Sequence, residues 1–253
     1  MILDQFRLDG QVAIVTGASR GLGAAMAIAL AEAGSDLLLL ARGDLGQTVA
    51  SVQRRGRRVE AVQVDVSHRT APEAIMAAAE LAFGRADILV NNAGIIRRAP
   101  ALETADEDWD AVIDVNLRSV FTLSRAFARA LVARDAGGRI MNVASMLSFQ
   151  GGIRVPAYAA AKSGILGLTR ALANELAPLG INVNAIAPGY MVTDNTEALR
   201  EDPVRSREIL GRIPAGRWGA PSDLAGAVVF LASPASAYVH GWVVAVDGGW
   251  LGR

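Results

Sequence analysis

The chain has 253 residues, of which 52 % are apolar, and its 25 acidic and 25 basic side chains give a formal net charge of zero. Such a composition excludes disorder and offers no basic field to hold a nucleic-acid backbone or an anionic membrane surface. With no cysteine and only two, widely separated histidines (His68 and His240), neither a disulfide framework nor a metal centre is expected.

In chain order, Gln11–Thr16 reads as a buried strand, followed by a Gly-rich turn and an Ala-rich helix from Leu22 to Ala33. Asp36–Ala41 is the next strand, then come a helix through Val52 and a strand over Val59–Val66. A helix over Pro72–Phe83 precedes a fourth strand, Asp87–Asn91, and a long helical pattern covers Asp106–Ala133. Arg139–Ala144 is the fifth strand, Pro156–Ala177 a helix and Ile181–Ala187 the sixth strand. Pro188–Pro214 is the least regular stretch and reads as a mobile substrate-covering loop. A helix over Ser222–Leu231 and a strand over Trp242–Val246 close the chain. Strands that run as unbroken apolar segments are buried on both faces, and their alternation with helices predicts a parallel sheet. The expectation is a doubly wound, Rossmann-like α/β fold of about seven strands with helices on both faces, residues 1–253 forming a single dinucleotide-binding catalytic domain. MILDQFRLDG at the start carries acids and no apolar run, and the LLLL segment at 37–40 is too short to span a bilayer, so a cytoplasmic protein without membrane or nucleic-acid partners is expected.

The first strand runs into Thr16-Gly17-Ala18-Ser19-Arg20-Gly21-Leu22-Gly23, which opens a helix. Glycines there let backbone approach a pyrophosphate, and the helix N-terminus offers it unpaired N–H groups. Asn91-Asn92-Ala93-Gly94 follows the fourth strand, Asn116 lies in the long helix and Ser145 follows the fifth strand. The carboxyl ends of parallel strands line the ligand crevice of such folds. Tyr158 and Lys162 are four apart in a helical pattern and so share a face. An ammonium close to a phenol favours its ionised form. Lys162 is also the only lysine beside 24 arginines, a hint that a guanidinium would fail at that position.

In this order the motifs TGASRGLG, NNAG, Asn116, Ser145, YAAAK (158–162) and Pro188-Gly189 resemble the short-chain dehydrogenase/reductase family over essentially the whole chain. The resemblance implies a catalytic set of Asn116, Ser145, Tyr158 and Lys162. Tyr158 would be the general acid/base and Ser145 the hydrogen-bond partner of the reacting oxygen. Lys162 would contact the nicotinamide ribose and depress the Tyr158 pKa, while Asn116 completes a proton relay through water. It implies a cofactor cradle of Gly17, Ser19, Arg20, Gly21, Leu22 and Gly23, with Asp65 and Val66 at the adenine. Asn92, Ala93 and Gly94 would border the cofactor, and Pro188, Gly189 and Thr193 would reach the carboxamide end together with Tyr158 and Lys162. A homotetramer is implied as well.

The cofactor is NAD or NADP, and two readings pull apart. The end of the second strand carries Ala41-Arg42 in place of an acid, and Arg20 and Arg42 suit a 2′-phosphate. The second half of the chain (ASMLSFQGGIRVPAYAAAKSG at 144–164, INVNAIAPGYM at 181–191) and NNAGIIRR at 91–98 resemble the branch acting on deoxy and keto sugar acids, which mostly uses NAD. A sugar-acid carboxylate calls for a basic residue, and Arg98 and Arg154 are the candidates, with Gln150 and Met191 as further pocket wall. The competing expectations are a 3-oxoacyl-[acyl-carrier-protein] reductase, which shares the same motifs, and a dinucleotide-sensing protein without catalysis. The latter has no need of Asn116, Ser145, Tyr158 and Lys162 together.

Overall fold

The computed structural model describes residues 1–253. Seven parallel strands form one sheet in the order β3-β2-β1-β4-β5-β6-β7, with β1 Val12–Thr16, β2 Asp36–Ala41, β3 Val59–Gln63, β4 Ile88–Asn91, β5 Gly138–Val143, β6 Ile181–Pro188 and β7 Val243–Val246. The doubly wound expectation is borne out. The run Leu37-Leu38-Leu39-Leu40 shows why these strands read as continuous apolar segments. Leu37 and Leu39 face one core with Met26 and Leu30 of α1 (Gly21–Glu32) and Val228 and Leu231 of α9 (Ala225–Ala232). Leu38 and Leu40 face the other, with Ile75 of α3 (Ala71–Phe83) and Phe127 of α5 (Ser119–Ala133). No helix is long and apolar enough to cross a membrane.

Chain order along the sheet reverses between β1 and β4, so their carboxyl ends diverge into a crevice where a ligand can sit. Its base is stitched together by polar side chains. Thr16 Oγ1 accepts the amides of Asn92 and Ala93 (both 2.9 Å), and Asn92 Nδ2 donates to the carbonyls of Thr16 (2.9 Å) and Gly17 (3.1 Å). Behind it, Asn91 Nδ2 donates to Ser124 (3.0 Å) and Asn142 (2.9 Å), and Asn142 donates to Thr169 of α6 (Pro156–Leu176) at 3.0 Å. This buried chain ties β4 and β5 to the helix that carries Tyr158 and Lys162.

Two stretches differ from the sequence expectation. The long helix is broken: α4 (Asp106–Ile113) and α5 are joined by a π turn, Asp114–Arg118. The segment expected to be irregular is largely helical, with α7 (Glu197–Glu201) and α8 (Pro203–Arg212). Asp202 caps α8 by accepting the amides of Val204 and Arg205, and Pro203 at the first position has no N–H to satisfy. α8 is anchored from below, where Ile209 and Ile213 pack with Met146 and Trp250.

Candidate active site

The cleft beyond the strand ends has a volume of about 690 Å³. All four expected catalytic residues line it, as does every expected cofactor residue from Gly17 through Thr193, Arg20 and Arg42 included. Met191 lines it too. Arg98, Gln150 and Arg154 do not, although Arg98 lies near enough for its charge to favour the Tyr158 phenolate.

The outer end is shaped for a phosphate-bearing ligand. Gly17 has φ +65°, and a Cβ on Gly23 would stand 2.1 Å from the Gly17 carbonyl oxygen, so neither position accepts a side chain without moving the turn. α1 starts there with no side-chain cap, leaving its first amides and positive end directed at the cleft. These features fit a dinucleotide pyrophosphate. Asp65 is fixed at the far end by Ser67, whose amide (2.9 Å) and hydroxyl (2.7 Å) both donate to its carboxylate.

At the inner end, the Ser145 hydroxyl lies near enough to the Tyr158 phenol to favour its ionised form. Ser145 begins a 3₁₀ turn, Met146–Ser148, and Ser148 Oγ donates to the Lys162 carbonyl (2.7 Å), which fixes that turn against α6. Asn116 sits in the π turn, fully buried. Its Nδ2 donates to the carbonyls of Ile95 (2.9 Å) and Val112 (2.8 Å), leaving Oδ1 buried without a partner. A Cβ on Gly94 would stand 2.6 Å from that oxygen, so Gly94 keeps the space beside it open. A π turn is a common way to aim a functional side chain out of helical register.

The expectation that Lys162 lowers the Tyr158 pKa needs correction. Burial pushes the phenol up, and the opposing influences are the nearby Ser145 hydroxyl and the Arg98 charge. Lys162 Nζ stands 5.7 Å from the tyrosine ring centroid and donates instead to the Val143 carbonyl at 2.6 Å. Burial lowers the ammonium to about 8. The folded state therefore binds fewer protons than the unfolded state between pH 8 and 10, and this group's contribution to stability rises with pH across that window. Replacing the charge by Lys162→Met is expected to raise the melting temperature at pH 7, with the gain shrinking toward pH 10. Melting curves of both proteins over that range check it.

Asp194, Asn195 and Thr196 also line the cleft and were not anticipated. Arg20 Nη1 is 3.0 Å from Asp194, and Arg98 Nη2 donates to the Asn195 carbonyl at 3.1 Å. Their only sequence signal is that they follow Pro188-Gly189, where the sixth strand leaves the sheet.

A dinucleotide cradle joined to a Ser–Tyr–Lys–Asn cluster defines an NAD(P)-dependent oxidoreductase, as the sequence motifs led one to expect. The chain belongs to the short-chain dehydrogenase/reductase family, and a family model described as enoyl-(acyl carrier protein) reductase matches residues 17–251. It is 55 % identical to the 2-dehydro-3-deoxy-D-gluconate 5-dehydrogenase of Escherichia coli (strain K12) over 253 residues, all of both chains. A solved structure from Agrobacterium tumefaciens, assigned as a 2-deoxy-D-gluconate 3-dehydrogenase with bound NADP, matches with TM-score 0.93 and 53 % identity, covering 98 % of this chain and 99 % of the other. The gluconate 5-dehydrogenase of Burkholderia cenocepacia J2315, in complex with NADP and tartrate, matches with TM-score 0.93 and 39 % identity over 100 % of both chains.

Proposed function

We propose that this protein interconverts a secondary alcohol and a ketone on a deoxy sugar acid such as 2-dehydro-3-deoxy-D-gluconate or 2-deoxy-D-gluconate, with NAD(H) or NADP(H) as redox partner. The observation that carries the reading is the convergence of Asn116, Ser145, Tyr158 and Lys162 at the inner end of a cleft whose outer end is a phosphate cradle. The names of its relatives at 53–55 % identity support the substrate class.

A bound nicotinamide supplies the hydride acceptor in oxidation and the hydride donor in reduction. The remaining work belongs to the chain. Ser145 and Tyr158 hold the substrate oxygen between two hydroxyls, and the Tyr158 phenol exchanges the proton that the oxygen loses or gains. Burial keeps that phenol protonated at neutral pH, ready to donate to a ketone oxygen. The Lys162 ammonium, held on the Val143 carbonyl, is placed to contact the ribose of a bound nicotinamide, and Asn116 Oδ1 anchors a water through which the proton is replaced. Arg98 reads the substrate carboxylate: it lies close enough to influence Tyr158, whereas Arg154 meets that loop only through its own carbonyl, which accepts the Ala99 amide at 3.1 Å. Arg98→Ala is expected to raise KM for the sugar acid at least about tenfold, the scale of a charge-assisted hydrogen bond, and Arg154→Ala to leave it within about twofold. Steady-state kinetics on the two variants decide, and equal effects would remove Arg98 from this role.

Arg20 and Arg42, both exposed at the cleft, supply partners for a 2′-phosphate. We also propose a cytoplasmic homotetramer. Trp109, Phe121 and Val132 are exposed along α4 and α5, and Trp242 is exposed beside the edge strand β7, as surfaces that pack against other copies would be.

The test is absorbance at 340 nm with 2-dehydro-3-deoxy-D-gluconate, 2-deoxy-D-gluconate, D-gluconate and an acetoacetyl thioester, each with NAD(H) and NADP(H). Turnover of the deoxy sugar acids is expected. Thioester reduction with no turnover of the sugar acids would overturn the substrate class and favour a 3-oxoacyl-[acyl-carrier-protein] reductase.

A further inference from the structure

Arg20 and Arg42 are each paired within the protein. Arg20 Nη1 lies 3.0 Å from Asp194 Oδ2, and Arg42 Nη1 lies 3.7 Å from Asp65 Oδ2. At the place where a 2′-phosphate needs positive charge, the two guanidiniums and two carboxylates therefore sum to zero. The two pairs are built differently. The Asp65 carboxylate is held by the amide and hydroxyl of Ser67, so it stays where it is whether or not Arg42 remains beside it. Arg20 is the sole partner of the Asp194 side chain, and that ion pair is solvent-exposed, with 79 % of the Arg20 and 65 % of the Asp194 side chain accessible.

Exposed pairs of this kind are weak, about 0–1 kcal/mol, so a doubly charged phosphate can outbid the carboxylate for the guanidinium. The Arg20–Asp194 pair also spans the cleft. Arg20 belongs to the Gly-rich turn before α1, and Asp194 to the segment after β6, where Thr193 Cγ2 would lie 3.6 Å from a Cβ on Gly21.

We infer that Asp194 sets the balance between the two nucleotides, by competing with the 2′-phosphate for Arg20. With NAD(H), Arg20 stays on Asp194 and the two lips remain tied across the cleft. With NADP(H), Arg20 turns to the phosphate and the tie is released, so part of the phosphate's binding energy is offset by the lost pair. Asp194 is thus a specificity-determining residue and not a catalytic one. The inference rests on the proposed dinucleotide chemistry of the cleft.

Fluorescence titration of the purified protein with NADPH and with NADH, without substrate, tests it, alongside calorimetry with 2′,5′-ADP and 5′-AMP. Asp194→Asn is expected to tighten NADPH and 2′,5′-ADP by about two- to fivefold, the scale of one exposed charge pair, and to leave NADH and 5′-AMP unchanged or slightly weaker. In an Arg20→Gln background the same substitution is expected to have no selective effect, because the group competed for is gone. Equal shifts for both nucleotides, or a selective shift that persists without Arg20, would overturn the role of Asp194 while leaving the dehydrogenase reading intact. Failure of the unaltered protein to bind either nucleotide would overturn both.

Discussion

Tyr158→Phe is expected to lower kcat by about 10²–10⁴-fold, while the dissociation constants for NADH and NADPH stay within about twofold. The substitution removes one oxygen and keeps the ring. That ring packs with Val112, Ala157 and Ala161, a cluster that is indifferent to the hydroxyl, so the fold and the cleft persist. What disappears is the only ionisable hydroxyl at the inner end of the cleft, the one beside Ser145. Steady-state rates and nucleotide titration on the same preparation separate the two effects. A variant that retains a tenth or more of the activity would mean that another group moves the proton, and the proposed chemistry would have to be abandoned.

The second large effect is expected at the opposite end of the cleft. Gly23→Ala places a Cβ 2.1 Å from the Gly17 oxygen and 2.5 Å from Asn92 Nδ2, distances that no side-chain rotation relieves because the first obstacle is backbone. The turn must open, and the hydrogen bonds from Asn92 to Thr16 and Gly17 are disturbed with it. Overpacking of this kind costs about 1–3 kcal/mol, or several degrees of melting temperature in a chain of this size. Affinity for both nucleotides should drop at least about tenfold, since the displaced amides are those facing the phosphates. Gly226→Ala is the control: it lies in α9 with open space around it, and a small gain in stability is expected. A Gly23→Ala protein that melts and binds like the parent would show that the cradle is plastic.

Much of the fold could be read from the sequence because every central strand is buried on both faces, as the alternation of Leu37 to Leu40 between two cores makes plain. The cleft was legible for a related reason. Its contributors sit at strand ends that the sheet order brings together, and TGASRGLG, NNAG and YAAAK mark those ends in the chain. Other features left no local trace. The π turn at Asp114–Arg118 keeps the apolar spacing of an ordinary helix, so periodicity cannot reveal it. The helices α7 and α8 present mostly polar residues, and their few anchors, such as Ile209, resemble scattered apolar positions in a loop. The four-residue spacing of Tyr158 and Lys162 located both residues but not the direction of the ammonium, which depends on the Val143 carbonyl of a neighbouring strand. The pairing of Arg20 with Asp194 joins distant parts of the chain and is visible only after folding.

The π turn also constrains how this helix can change length. A π turn accommodates one residue more than an α-helical turn, so deleting a single residue there would let the helix regularise. The surplus residue is taken up within that one turn, so the residues beyond it would keep the faces they now present, whereas a deletion in regular α-helix would rotate them by about 100°. Phe127 would stay at the centre of one core, and the loss would be local, at Asn116 and its hold on the Ile95 carbonyl. A one-residue deletion between Asp114 and Arg118 should therefore spare the packing of α5 while losing the present aim of Asn116, whereas the same deletion within α5 should disrupt the core itself.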